Sequence, residues 1–255
     1  MMRIYTPRER SDIKACIARE GYVVVNVMTS KRASIFLHQL QKFVKDSNIP
    51  ATLLTRGIIK SHGIGQADFM WKIRNVRNVK NVFANLCECK HNHLLPSFDG
   101  ACYVPIDESN STTLWPHRDQ HPSNTGVDTY QGSLCLAESD GGFMCWPKSH
   151  LIEDWSYKHE NTYVDYFSVP LSSAEAIAER NAKKICPPPG TLLVWDSRMI
   201  HCNFPPKKKG PRAVAFVCMV DGRDASEEVL AKREFCMANN ITTSHHPLRF
   251  RMNEI

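Results

Sequence analysis

Apolar positions along the chain change period near residue 93. Before that point they recur at helical spacing; beyond it they come in short bursts separated by turn residues. Thr6 and Pro7 open, and Gly21 closes, a segment predicted helical over 6–20. The β-branched run at 22–27 predicts a buried strand. Ile35, Phe36, Leu40, Phe43 and Val44 put one apolar face on a helix over 31–46, ended by Asn48 and Pro50. Phe69, Ile73, Val76, Val79 and Phe83 predict another over 66–86.

From residue 94 the stretches 101–104, 132–137, 142–146, 191–195, 199–202 and 213–220 predict strands. Repeated short strands between turn signals read as a sandwich or barrel. Ser172 with Glu175, and Asp224 with Glu227, have capping-box spacing, which predicts helices running to about 184 and 239. The expectation is an α+β fold in a single domain spanning 1–255. A helical part covers about 1–93, a β core about 94–221 and a C-terminal helix about 224–240.

Composition narrows the functional classes. With 255 residues, 42% of them hydrophobic, the chain can build one sizeable core. The net charge of +6 is dispersed, and its one dense run, Lys207 to Lys209, lies in a Pro/Gly-rich stretch that reads as a solvated turn. No aromatic-basic surface or nucleic-acid motif accompanies the charge, so a small molecule is the expected partner rather than nucleic acid. Ten cysteines without an apolar leader core predict reduced thiols and a cytoplasmic location. The longest apolar run, 213–220, is too short to cross a bilayer, so no membrane partner is expected.

Candidate chemistry centres on "WPHRDQHP" at 115–122. In an extended strand His117 and Asp119 face the same side. Imidazole plus carboxylate is two-thirds of the triad that holds non-haem Fe(II), and a second histidine must come from elsewhere. His201 qualifies: it ends the apolar stretch "TLLVWDSRMIH" after a Pro189-Gly190 turn. Alone, each histidine reads better as a hydrogen-bonded structural residue than as a ligand. Arg212, at the entry to "AVAFVCMV", is either a carboxylate anchor or a solvent-facing arginine at a strand mouth. A separate alternation, Cys87, Cys89, His91 and His93, offers a rival zinc site, although zinc ligands usually stand further apart.

Together these stretches, with "YQGSLCL", "DGGFMCWPKSH" and "PPPGTLLVWDSRMIHCNF", resemble the phytanoyl-CoA dioxygenase-like family of Fe(II)/2-oxoglutarate oxygenases. The resemblance runs from about 59 to 221 and takes in "HGIGQADFMWKIR" and "SFDG" upstream. It implies a double-stranded β-helix (jelly-roll, cupin-like) core with flanking helices, mostly N-terminal. It implies Fe(II) held by His117, Asp119 and His201, and 2-oxoglutarate with its far carboxylate on Arg212. Asn203 stands where the family has serine and still offers a hydrogen bond; Gln131 and Tyr103 are further candidates for lining the cosubstrate pocket. O2 is the oxidant, ascorbate a possible stimulant, and hydroxylation with release of succinate and CO2 the default outcome. Asp119 fills the position that related halogenases leave to Gly or Ala, which argues against halogenation. Asp99, Arg198 and Trp195 are candidates for the substrate pocket, with a core ion pair as the alternative use of Arg198. Acyl-CoA-binding features are not recognisable, so phytanoyl-CoA is not carried over. The aromatic stretch 155–167 reads as a patch buried against the helices or as a lid, the former favoured. The same core modifying a protein or nucleic acid, and a non-catalytic jelly-roll binding protein, are the alternative functions.

Overall fold

Strand parity decides which side chains reach the interior of this protein, because two antiparallel sheets face each other and, among the described residues, helices cover the outer face of the larger one. The computed structural model describes residues 2–49, 55–109, 114–121, 124, 126–152, 167–170, 172 and 182–253. The order is α1 (Arg10–Glu20), β1 (Tyr22–Asn26), α2 (Ser30–Asp46), β2 (Ile58–Ile59), α3 (Asp68–Arg74), α4 (Arg77–Leu86), β3 (Leu94–Pro96), β4 (Ala101–Val104) and β5 (His117–Arg118). It continues with β6 (Tyr130–Cys135), β7 (Gly142–Cys145), β8 (Phe167–Ser168), β9 (Lys183–Ile185), β10 (Thr191–Asp196), β11 (His201–Phe204), β12 (Arg212–Asp221) and α5 (Glu227–Ala238).

Seven strands form the larger sheet in the order β1-β10-β6-β12-β4-β2, with β3 also on β12; the smaller runs β8-β5-β11-β7-β9. All these pairings are antiparallel. Alternation then sorts the side chains. Val23 and Val25 of β1, Leu192 and Val194 of β10, and Ala213, Ala215 and Val217 of β12 join the core under the helices. There they meet Ile13 and Ile17 of α1, Phe36 and Leu40 of α2, Ile73 of α3 and Phe83 of α4. Val24, Leu193 and Trp195, one residue out of phase, pack instead with Phe143, Cys145 and Ile185 of the smaller sheet. Completely buried side chains such as Phe83 each contribute roughly 1.5–3 kcal/mol. Gly132 lets α4 approach, since a Cβ there would stand 3.2 Å from the Phe83 ring.

Most expected elements form, with informative shifts. The first helix begins at Arg10, because the Glu9 carboxylate accepts the Thr6 amide at 2.6 Å and hydroxyl at 3.0 Å, holding 6–9 as a turn. Gly21 ends it at φ 83°, and Gly190 makes the turn before β10 at φ 90°. The helix expected over 66–86 is two helices. Val76 takes an extended backbone between them, and α4 redirects its apolar face onto the sheet. Ser226, not Asp224, caps α5 by accepting the Val229 amide at 3.3 Å. Lys183 and Lys184 are not the end of a helix: they lie in β9, paired with β7 so that Ile185 enters the core between the sheets. The rest of that expected helix, 173–181, and all but the end of the aromatic stretch 155–167 lie outside the described residues. Lys207 to Lys209 form an exposed turn whose three backbone amides all donate to the Asp140 carboxylate. No helix among the described residues is long and apolar enough to cross a membrane.

Candidate active site

Antiparallel pairing of β5 with β11 sets His117 directly opposite His201. Their rings lie 4.2 Å apart. Asp119, just past the end of β5, directs its carboxylate at both: Oδ1 is 3.6 Å from His117 Nε2 and Oδ2 is 3.2 Å from His201 Nε2. The ligand atoms of the three side chains lie within 4.8 Å of one another. Among the described residues no other three-group cluster of this kind occurs.

The outer ring nitrogens fix the tautomers. His117 Nδ1 lies 3.0 Å from the Trp115 carbonyl, and His201 Nδ1 3.0 Å from the Met199 carbonyl. A carbonyl only accepts, so each Nδ1 carries a proton and each Nε2 is the atom turned toward Asp119. Burial, then the neighbouring His201, push the His117 pKa down to about 3, so the ring is neutral near pH 7. Burial raises the Asp119 carboxyl, but His201, His245 and His117 outweigh it and hold the group ionised. Two imidazole nitrogens and one carboxylate oxygen, converging from one side, suit a divalent metal of the ferrous type with open positions opposite. Gln120 braces the loop behind Asp119: its amide donates to the Asn124 and Gly126 carbonyls at 2.8 Å, and its oxygen accepts from Ser197 Oγ at 2.7 Å.

Arg212 opens β12 and is buried, at 3% exposure. Its Nε donates to the Gly142 carbonyl at 3.1 Å, Nη1 to Cys102 Sγ at 2.6 Å, and Nη2 to Asn203 Oδ1 at 2.7 Å. Burial raises the Cys102 pKa against the pull of Arg212, so that partner is a neutral thiol. No carboxylate among the described residues lies within ion-pair distance of this buried guanidinium. A desolvated charge without a counter-ion is costly, and the two N–H groups left, one on each terminal nitrogen, can receive an incoming carboxylate.

A cavity of about 460 Å³ joins these parts. It is lined by His117, Asp119, His201, Arg212, Asn203, Gln131, Trp195 and Asp99, all singled out in the sequence. Gln131 Nε2 and Trp195 Nε1 are buried donors without a hydrogen-bond partner among the described residues.

Two sequence candidates sit elsewhere. Tyr103 is opposite Ala213 in the β4–β12 register, and both face the helices; its hydroxyl accepts from Gln41 of α2 at 3.2 Å. Arg198 binds Asp196 through Nε at 2.9 Å and Nη2 at 2.7 Å, the ion-pair alternative, and is not part of the cavity wall. The four residues of the zinc alternative, Cys87, Cys89, His91 and His93, do not form a ligand cluster like that of His117, Asp119 and His201. Cys87 caps α4, and its thiol donates to the Met219 carbonyl at 3.5 Å.

Sequence reasoning missed the segment after α5. Ser244, His245 and Arg251 line the cavity, and His245 Nε2 reaches the Asp119 carbonyl at 3.3 Å. The motifs "HGIGQADFMWKIR" and "SFDG" hold this segment in place. Arg74 donates to the Gly65 and Asp99 carbonyls at 2.6 and 2.9 Å, and Gly65 N and Gln66 Nε2 bind Thr242 Oγ1 and the Ile241 carbonyl at 3.0 and 2.9 Å. The one sequence signal there was the His-His pair followed by arginines.

No family model matches the chain. It is 25% identical over 284 residues to the Ava biosynthesis cluster protein O of Aspergillus versicolor, covering 96% of this chain and 89% of that protein. The epimerase SnoN, solved with Fe3+, alpha-ketoglutarate and nogalamycin RO, superposes with a TM-score of 0.65 at 15% identity over 85% of each chain. The alpha-ketoglutarate-dependent carbocyclase SnoK superposes with a TM-score of 0.59 at 12% identity, covering 94% of this chain and 95% of its own. EctD from S. alaskensis does so at 0.59 with 17% identity, covering 87% and 80%. The fold of this chain is that of non-haem iron, alpha-ketoglutarate-dependent enzymes.

Proposed function

We propose that the chain is an Fe(II)- and 2-oxoglutarate-dependent oxygenase of the phytanoyl-CoA dioxygenase-like group, built on a double-stranded β-helix, which hydroxylates a small molecule. The observation that carries this reading is the convergence of His117, Asp119 and His201 beside a buried arginine lacking a carboxylate. SnoN, solved with iron and alpha-ketoglutarate, supports the same pair of cofactors here. The relative from a biosynthesis cluster supports a small-molecule substrate.

In this reading His117 and His201 donate Nε2 and Asp119 a carboxylate oxygen to the metal. Ferrous iron held there with 2-oxoglutarate would supply the oxidation of a substrate carbon–hydrogen bond by O2, with succinate and CO2 as coproducts. The chain's own work is positional. The Trp115 and Met199 carbonyls keep each imidazole proton on Nδ1. Arg212 receives the far carboxylate on its two remaining N–H groups, while Asn203 orients the guanidinium through Oδ1. Gln131 turns its unpartnered Nε2 to the cosubstrate. Phe143 and Trp195, both buried, wall the ring of His201 at 5.2 Å and exclude water from that side.

The test is release of succinate from 2-oxoglutarate with Fe(II) and ascorbate, read beside anaerobic Fe(II) binding. The wild type is expected to bind one ferrous ion per chain and to release succinate. A His201→Ala variant that holds iron as tightly as wild type would refute the ligand assignment.

A further inference from the structure

With those cofactors in place, the metal half of the cavity is electrically closed. The double charge of iron and the charge of Arg212 balance Asp119 and the two carboxylates of 2-oxoglutarate. Two further cations, Arg56 and Lys60, line the same cavity. Arg56, in the turn before β2, Ile58 of β2 and Lys60 just after it line the cavity, while Ile59 is buried beneath the helices. Among the described residues, neither Arg56 nor Lys60 has a carboxylate within ion-pair distance. Arg251 adds a further positive charge to the same wall.

Asp99 is the one acid on that side, and it is a poor counter-ion. It is buried at 8% exposure, its Oδ1 already accepts the Gly100 amide at 2.7 Å, and burial raises its pKa. Arg56 and Lys60 are both exposed at the mouth. The Arg56 guanidinium lies 4.3 Å from the ring centroid of Trp115, which stacks on His117 at 4.1 Å. A cation, an indole and a metal ligand thus form one continuous wall from the mouth to the candidate metal site.

We propose, resting on the oxygenase reading, that the substrate is an anionic small molecule whose carboxylate or phosphate is held by Arg56 and Lys60, with an apolar body laid against Ile58 and the edge of Trp115. The charge anchors one end of the substrate, so the carbon presented to the metal lies part-way along its body. A neutral or cationic compound of the same shape brings no anion to Arg56 and Lys60.

Three acids serve as probes: benzoate, phenyl phosphate and indole-3-acetate, each titrated calorimetrically beside its uncharged twin, benzamide, phenol and indole-3-acetamide. The protein is loaded anaerobically with Fe(II) and saturating 2-oxoglutarate, and the visible charge-transfer band of that complex is recorded in the same sample. At least one acid is expected to bind about tenfold more tightly than its twin. Its affinity should fall with added salt and drop about tenfold in Arg56→Gln and in Lys60→Gln. Lys60→Glu should abolish it. Twins that bind as well as the acids, an acid affinity unmoved by these substitutions, or no acid binding at all would each overturn the proposal. A normal band with no preference for acids defeats this proposal alone. A wild type that shows no band defeats the oxygenase reading and, with it, this inference.

Discussion

Replacing Arg212 by lysine keeps the positive charge and removes the fork. In the wild type, three of the five N–H groups are committed to Gly142, Cys102 and Asn203. Two remain for a carboxylate, one on each terminal nitrogen. A lysine amine cannot serve the Gly142 carbonyl and Asn203 and still give two hydrogen bonds to the ligand. Losing one charge-assisted hydrogen bond costs about 1.5–3 kcal/mol, which weakens 2-oxoglutarate binding roughly 10- to 150-fold. The ligand-free variant should also be less stable by about 1–3 kcal/mol, since a buried acceptor loses its donor. Linkage separates the two effects. At a ligand concentration one hundred times the wild-type dissociation constant, 2-oxoglutarate should stabilise the metal-loaded wild type by about 2.7 kcal/mol. A variant bound one hundredfold more weakly gains only about 0.4 kcal/mol at that concentration. Urea denaturation with and without ligand, beside a calorimetric titration, reads all of these quantities. If Arg212→Lys binds 2-oxoglutarate within about twofold of wild type, Arg212 is not the anchor, however unstable the variant.

Three further outcomes are expected. His117→Ala and His201→Ala should each lose stoichiometric Fe(II) binding and succinate release while remaining folded by circular dichroism; retained iron would refute their role as ligands. In the metal-free protein His117 stays neutral down to about pH 3, whereas in the unfolded chain it protonates near 6.5. The unfolded state therefore holds the extra proton across that interval, and stability should decline as pH falls from about 6.5 toward 3, by at most about 1.4 kcal/mol per pH unit. Melting temperatures measured against pH should show this slope, and His117→Gln should flatten it. Gln131→Met, nearly equal in volume, removes a buried donor without a partner and should stabilise the ligand-free protein by about 1 kcal/mol while weakening 2-oxoglutarate severalfold. A variant that binds 2-oxoglutarate as tightly as wild type would show that Gln131 does not face it.

Strands and helices were legible because their side chains are sorted by burial. Val23 to Val25 and Ala213 to Val220 announce a sheet with both faces covered, and that is where β1 and β12 lie. His201 and Arg212 were legible because each is a polar residue beside an apolar run, where burial demands a partner, and His117 and Asp119 because their spacing puts an imidazole and a carboxylate on one side of an extended chain. The break at Asn75 and Val76 was not, since the apolar spacing continues unchanged through two helices that each turn the same stripe inward.

What the sequence withholds is register, and Tyr103 and Gln131 show the cost of not knowing it. Both lie on strands flanking the His-x-Asp segment, and both were equal candidates for the same pocket. In the sheet, Arg212 pairs with Val104 and Ala213 with Tyr103. Directly paired residues share a face, so Tyr103 inherits the helix-facing side of Ala213, while Cys102, one step away, meets the guanidinium. On β6 the parity runs the other way: Gln131 pairs with Trp195, whose ring packs between the sheets, and so faces the cavity with it. One residue of slip on either strand would exchange the two roles. The segment after α5 escapes for a related reason. Ser244 and His245 reach the cavity through hydrogen bonds that Thr242 and Ile241 make to the loop before α3, with no periodic pattern behind them. Sequence periodicity can therefore nominate a residue for a buried site, but the pairing of neighbouring strands and the tethering of loops decide whether it gets there.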